Sequence, residues 1–239
     1  MAIREILYNH HNYCISYEIL NQSKSKSIVF LHGWGSNKEI MKKAFSHELS
    51  EYKHIYVDLP GFGSSSIHEP LKTEDYANIM RLFFESLHVK PFVVLGHSFG
   101  GKVASLLKPQ NLVLLSSAGI VVEKSLKVKC KIKLAKILKM IGLQGINKVL
   151  ASKDVENMSQ MMYDVFKNVV DEDFSLVFEN LNSRTLLFWG KYDSATPLKS
   201  GEKMASLIQD SKFYPLEGDH FFFMKNAHLI CEVIENEQL

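Results

Sequence analysis

Seven short apolar runs recur along the chain, with amphipathic stretches between them. Tyr13 to Ile19 alternates strictly between apolar and polar residues, whereas Ile28 to Leu31, His54 to Val57, Phe92 to Leu95, Leu112 to Leu115 and Thr185 to Trp189 are nearly continuous, and Lys212 to Leu216 follows. Alternation marks a strand with one wet face, and continuous short runs suit strands buried on both faces of a parallel sheet. Ser36 to Leu49, Thr73 to Leu87, Ser98 to Leu107, Pro197 to Gln209 and Ala227 to Ile234 carry apolar positions at helical spacing. Thr73 with Asp75, and Pro197 after Thr196, are helix starts. The alternation of strand and helix predicts an α/β fold with a mostly parallel, doubly wound central sheet flanked by helices. An antiparallel hairpin over residues 3–20 forms its edge.

Composition agrees with a folded domain. The chain has 239 residues, 46% apolar and 23% charged, with a formal charge of +2, the profile of a globular protein with a sizeable core. The opening MAIREILYNH lacks the apolar stretch of a signal peptide, and no run approaches the roughly 18 apolar residues of a membrane span. A cytoplasmic protein without a membrane span is expected. Cys14, Cys130 and Cys231 are odd in number and widely spaced, which predicts neither a disulfide framework nor a cysteine zinc site.

Charge changes the picture in one place. Residues 120–153 hold nine lysines and a single acid, Glu123, while the rest of the chain carries 19 basic and 25 acidic residues. Such a shift predicts an insertion with its own solvent face. Leu126 to Ile141 has helical spacing, yet Leu126 to Leu134 also alternates perfectly with lysine. Three uses remain open: a solvated lid face, docking to an acidic carrier protein or anionic substrate, and a membrane-surface helix. Nucleic acid is not an expected partner, because the lysine run has no interleaved aromatics.

The chemistry is concentrated in four loops. Gly96-His-Ser-Phe-Gly100 places a G-x-S-x-G pattern between a strand and a helix, where a nucleophile on a sharp turn needs small neighbours two residues to either side. Ser98 is then the candidate nucleophile, at a helix N-terminus that favours developing negative charge. His32-Gly-Trp-Gly35 follows the early strand, and the backbone N–H groups of Trp34 and Phe99 are candidate oxyanion donors. Asp193 lies just past one late strand and His220 just past the next. His220 would take the proton from Ser98, and Asp193 would hold the imidazole tautomer. Asp219 is a competing acid, but as the chain neighbour of the base it is badly placed to meet the ring from behind. Asp58-Leu-Pro-Gly-Phe-Gly63 reads as scaffold.

Together HGWG, DLPGFG, GHSFGG, WGKYDSATP and GDH resemble the serine members of the α/β-hydrolase superfamily. The resemblance runs from about residue 27 to the C-terminus. It implies the α/β-hydrolase fold, with residues 1–119 and 181–239 as core and 120–180 as a helical cap inserted after the sixth strand. It also implies Ser98, Asp193 and His220 as a triad, oxyanion donors at Trp34 and Phe99, and no cofactor or metal. HGWG further resembles the methyl esterases of biotin synthesis that act on pimeloyl-acyl carrier protein, whose cap presents basic residues to an acidic carrier. The apolar residues Met158, Met161, Met162, Phe166, Phe174 and Phe178 suggest a lining for a hydrophobic acyl group, with Trp34, Met161, Phe166 and Phe221 as candidate substrate contacts. The expected activity is hydrolysis of a carboxylic ester or thioester of small-molecule type. Alternatives on the same triad are a carbon-carbon bond hydrolase and a cofactor-free haloperoxidase. A non-catalytic binding protein on this fold is the alternative from another class.

Overall fold

A computed structural model describes residues 1–121 and 158–237. Eight strands form one sheet: β1 (Ala2–Tyr8), β2 (His11–Leu20), β3 (Ser27–Leu31), β4 (Lys53–Val57), β5 (Val93–His97), β6 (Asn111–Leu115), β7 (Arg184–Gly190) and β8 (Ser211–Leu216). Their order is β1-β2-β4-β3-β5-β6-β7-β8. β1, β2 and β4 pair antiparallel, and every pair from β4 to β8 is parallel. The edge hairpin turns at Asn9 and His10, both with positive φ (46° and 65°), which matches the right-handed strand twist.

The helices are α1 (Lys38–Phe45), α2 (Thr73–Ser86), α3 (Phe99–Leu107), α4 (Gln160–Val169), α5 (Ser175–Glu179), α6 (Leu198–Leu207) and α7 (Phe223–Asn236). They cover both faces of the sheet, and the strand side chains alternate between two cores. Val29 and Leu31 of β3 meet Tyr76, Phe83 and Val103 from α2 and α3. Ile28 and Phe30 of the same strand meet Met41 and Phe45 of α1 and Phe223 and Ile230 of α7. Burial on both sides explains why β3 to β7 read as unbroken apolar runs. Helix α7 begins four residues before the Ala227 start expected from periodicity. Non-helical geometry at Asn226 (φ −112°, ψ 15°) kinks it there, yet Phe223, Ala227, Ile230, Cys231 and Ile234 all face the same core.

The lysine-rich stretch, Cys130 and most of the expected 120–180 cap lie outside the described residues. Between β6 and β7 the described elements are α4 and α5. Two of the expected acyl contacts are corrected here. Phe174 and Phe178 are 5% and 0% exposed and belong to the core beside α2 and α3, where they pack against Gly119 instead of lining an open site. Among the described residues no helix is long and apolar enough to cross a membrane.

Candidate active site

Parallel strands bring the loops after β3, β5, β7 and β8 to one end of the sheet, where ligands bind in open α/β folds. Ser98 stands between the last residue of β5 and the first of α3 with φ 50° and ψ −115°, a strained conformation for a residue with a side chain. The crossing is tight: a Cβ on Gly96 would lie 2.4 Å from the Gly100 carbonyl oxygen, and one on Gly100 would lie 2.5 Å from the carbonyls of Leu31 and His32. This is the physical demand behind the glycine spacing. The turn is fastened to the end of β6, because Ser98 N–H donates to Leu115 C=O (3.1 Å) and Ala118 N–H donates to Ser98 C=O (3.1 Å). Phe99 opens α3, so its N–H has no carbonyl to meet within the helix.

Asp193 and His220 meet across two loops. His220 Nδ1 lies 2.7 Å from Asp193 Oδ2, and Asp193 is 6% exposed. Oδ1 accepts the N–H groups of Ala195 (2.8 Å) and Thr196 (2.9 Å). Burial by itself would raise the Asp193 pKa; the His220 bond, the Thr196 N–H and the His220 charge outweigh it and hold the carboxyl at about 2. Near neutral pH this carboxylate is an anion facing the imidazole. Thr196 Oγ1 lies 2.8 Å from Asp193 Oδ2 and 3.1 Å from Ser116 C=O, and its single proton serves one acceptor at a time. Asp219 is exposed, and its carboxylate accepts the Phe221 N–H at 2.9 Å, a local turn bond.

The loop after β3 is held by a second histidine. His32 Nε2 accepts Leu59 N–H (3.1 Å), and its Nδ1–H donates to Gly33 C=O (2.8 Å). Burial lowers its pKa to about 4, so it is neutral and its tautomer is set. Trp34 packs edge-on to Phe62 and Phe99 and lies 5.3 Å from the Phe166 ring of α4. Phe221 is 44% exposed beside the rings of His97 (5.4 Å) and His220 (5.6 Å). Met161 is half-buried; the methionine that packs onto the Gly61 turn is Met162.

Three further residues shape the site. Thr196 holds the Asp193 loop, and the only sequence sign of it is a threonine three residues after an aspartate. Lys102 of α3, 2% exposed, donates to Val169 C=O (2.6 Å) and Glu172 (2.7 Å), tying the end of α4 to the helix that follows Ser98. Burial lowers its pKa, with Glu172 opposing. His97 contacts the His220 loop. A cavity of about 330 Å³ opens between Gly119, Val170, Ser194 and Thr196. Among the described residues no group of three or more His, Cys, Asp or Glu side chains gathers as a metal site.

The model of the Alpha/beta hydrolase family matches residues 28–206. The chain belongs to that family. As an alpha/beta hydrolase it is 25% identical, over 255 aligned positions and 92% of each chain, to the uncharacterized hydrolase YugF of Bacillus subtilis. It is 31% identical over 96 residues to 2-succinyl-6-hydroxy-2,4-cyclohexadiene-1-carboxylate synthase of Escherichia coli, a match covering 40% of this chain and 37% of that protein. A thermophilic esterase from Thermogutta terrifontis superimposes with a TM-score of 0.74 at 18% identity, covering 100% of this chain and 98% of the other.

Proposed function

We propose that this alpha/beta hydrolase cleaves a carboxylic ester or thioester through an acyl-enzyme on Ser98. The observation that carries the reading is the contact at 2.7 Å between the buried Asp193 carboxylate and the partly exposed His220 ring, assembled from two loops at the same end of the sheet as the strained serine. With Nδ1–H donated to Asp193, the His220 Nε2 lone pair is left to act as base. It takes the Ser98 proton as Oγ attacks the substrate carbonyl, and returns it to the leaving alcohol or thiol. Water then attacks the acyl-enzyme by the same route and releases the acid. The Trp34 and Phe99 N–H groups receive the oxyanion in both halves. Trp34, Phe166, Met161 and Phe221 supply the apolar contacts to the acyl group, which favours a hydrophobic acid. The thermophilic esterase with the same fold is consistent with this choice.

Fluorophosphonate labelling combined with a panel of esters of increasing acyl length tests the proposal. Ser98→Ala is expected to abolish labelling and to lower ester turnover by roughly 10³-fold or more while the fold survives. An alanine variant that labels and turns over at the parent rate moves the nucleophile elsewhere. Labelling without turnover of any ester favours carbon-carbon bond cleavage, and no labelling at all favours a binding protein.

A further inference from the structure

His97 is the residue before Ser98, 1% exposed at the end of β5. Its Nε2 lies 2.9 Å from the backbone carbonyl of His220. A carbonyl only accepts, so Nε2 carries the proton and donates. Nδ1 is thereby left bare, and this buried atom has no hydrogen-bond partner among the described residues. On that side the ring sits against the loop after β3, where a Cβ on Gly33 would come within 2.8 Å of Nδ1. On the other side it lies 4.6 Å from the His220 ring and 4.8 Å from that of Phe223. One ring thus contacts the Gly33 loop and the His220 loop while adjoining Ser98 in the chain. A buried acceptor without a partner costs stability, and a leucine would fill the same space without an Nδ1 to strand, at the loss of the bond to the His220 carbonyl. What the histidine supplies in return is a directional bond to the backbone of His220.

We infer that His97 is a positioning residue, whose Nε2–H bond to the His220 carbonyl sets the placement of that imidazole relative to Ser98. The inference rests on the roles proposed for Ser98 and His220. The bond from Asp193 orients the His220 ring through Nδ1, but a ring held at one atom still moves with its loop. A base must stay within hydrogen-bond reach of its nucleophile. The loop is tied elsewhere by Tyr192 N–H to Gly218 C=O (3.0 Å) and Phe222 N–H to Asp219 C=O (3.1 Å); the His97 bond is the one that reaches the His220 backbone itself and joins it to the residue next to the nucleophile. Burial, followed by the neighbouring His220 charge, keeps the His97 pKa at about 3, so the ring holds one tautomer and does not compete as a base.

The test compares His97→Leu, His97→Asn and His97→Gln in the full chain. Leucine removes the donor, the asparagine amide reaches only the Nδ1 position, and the glutamine amide nitrogen reaches the position of Nε2. Expected for Leu and Asn is a fall of roughly 10- to 100-fold in kcat and in the rate of fluorophosphonate labelling, with KM within about twofold. The NMR resonance of the His220 Nδ1 proton broadens in parallel. Leucine removes the stranded Nδ1 acceptor but takes the donor from the His220 carbonyl, so the two effects oppose and Tm of the Leu variant stays within a few degrees of the parent, whereas a purely structural role would lower Tm and rate together. Gln restores most of the rate and the resonance. Wild-type kcat in the Leu variant, or a Gln variant no better than Asn when both are folded, overturns the inference. Should the parent itself fail to react with the probe, the nucleophile reading falls separately. His97 is then judged on the His220 resonance, and an unchanged signal in Leu or Asn refutes it.

Discussion

Two aspartates stand near His220, and only one meets its ring. Asp193 lies 27 positions away and bonds Nδ1; Asp219, its chain neighbour, is turned to a backbone N–H instead. Asp193→Asn is therefore expected to lower kcat by roughly 10³- to 10⁴-fold, because the amide favours the wrong tautomer and cannot stabilise imidazolium. Asp219→Asn should stay within a few-fold of the parent on the same ester. A reversed ranking in steady-state assays moves the acid to Asp219. Ser98 and the candidate acid and base were legible in the sequence because glycine spacing and loop position at strand ends are local signals. Thr196 and His97 were not, since each acts through a group that becomes its neighbour only after folding. Phe174 and Phe178 were misjudged for the same reason: aromatic residues look alike in sequence whether they line a cavity or fill a core.

The loops that carry the site are held by polar anchors as well as by hydrocarbon. Asp58, just after β4, accepts the Lys38 N–H (2.7 Å), the Lys38 ammonium (2.8 Å) and the Ser64 N–H (3.0 Å). The Lys38 ammonium also donates to Ser16 of β2 (3.1 Å). The first turn of α1, the turn after β4 and the antiparallel strand β2 are thus joined at one buried ion pair, with side chains 5% and 0% exposed. Burial would raise the Asp58 pKa, but the N–H groups and the ammonium of Lys38 outweigh it and lower it. Asp58→Ala leaves the Lys38 ammonium with only the Ser16 hydroxyl and the more distant Glu39 carboxylate (3.7 Å), and is expected to cost about 3 to 5 kcal/mol in urea denaturation. A loss below about 1 kcal/mol would show that water reaches Lys38 and that the anchor is dispensable. The sequence marked residues 58–63 as scaffold through their Pro and Gly content, but a lysine at the start of an amphipathic helix carries no local sign that it is buried.

Three histidines, His32, His54 and His97, are buried away from the surface, and an acid sensitivity of the whole molecule is expected from them. Burial lowers the pKa of His32 to about 4 and of His97 to about 3, and it lowers that of His54 as well. As pH falls below the unfolded value of about 6.5 the unfolded chain takes up these protons first, so stability is full above that pH and declines toward pH 4 and 3. Asp193, held near 2, adds a further loss below about pH 3.8. Each histidine contributes up to about 1.4 kcal/mol per pH unit. The denaturation midpoint should therefore be level from pH 8 to 7 and fall steeply between pH 6.5 and 4. A level midpoint down to pH 4.5 would mean that these rings are protonated in the folded state. The strand runs, the helices between them, the edge hairpin and the tight turn at Ser98 follow from the sequence by itself, because periodicity and glycine spacing act over a few residues. Which lysines lie inside, that Thr196 holds the Asp193 loop, and that His97 reaches a carbonyl 123 positions away were decided only by the tertiary structure. Those contacts depend on the order in which parallel strands lie side by side, and crossovers of tens of residues leave no periodic trace in the chain.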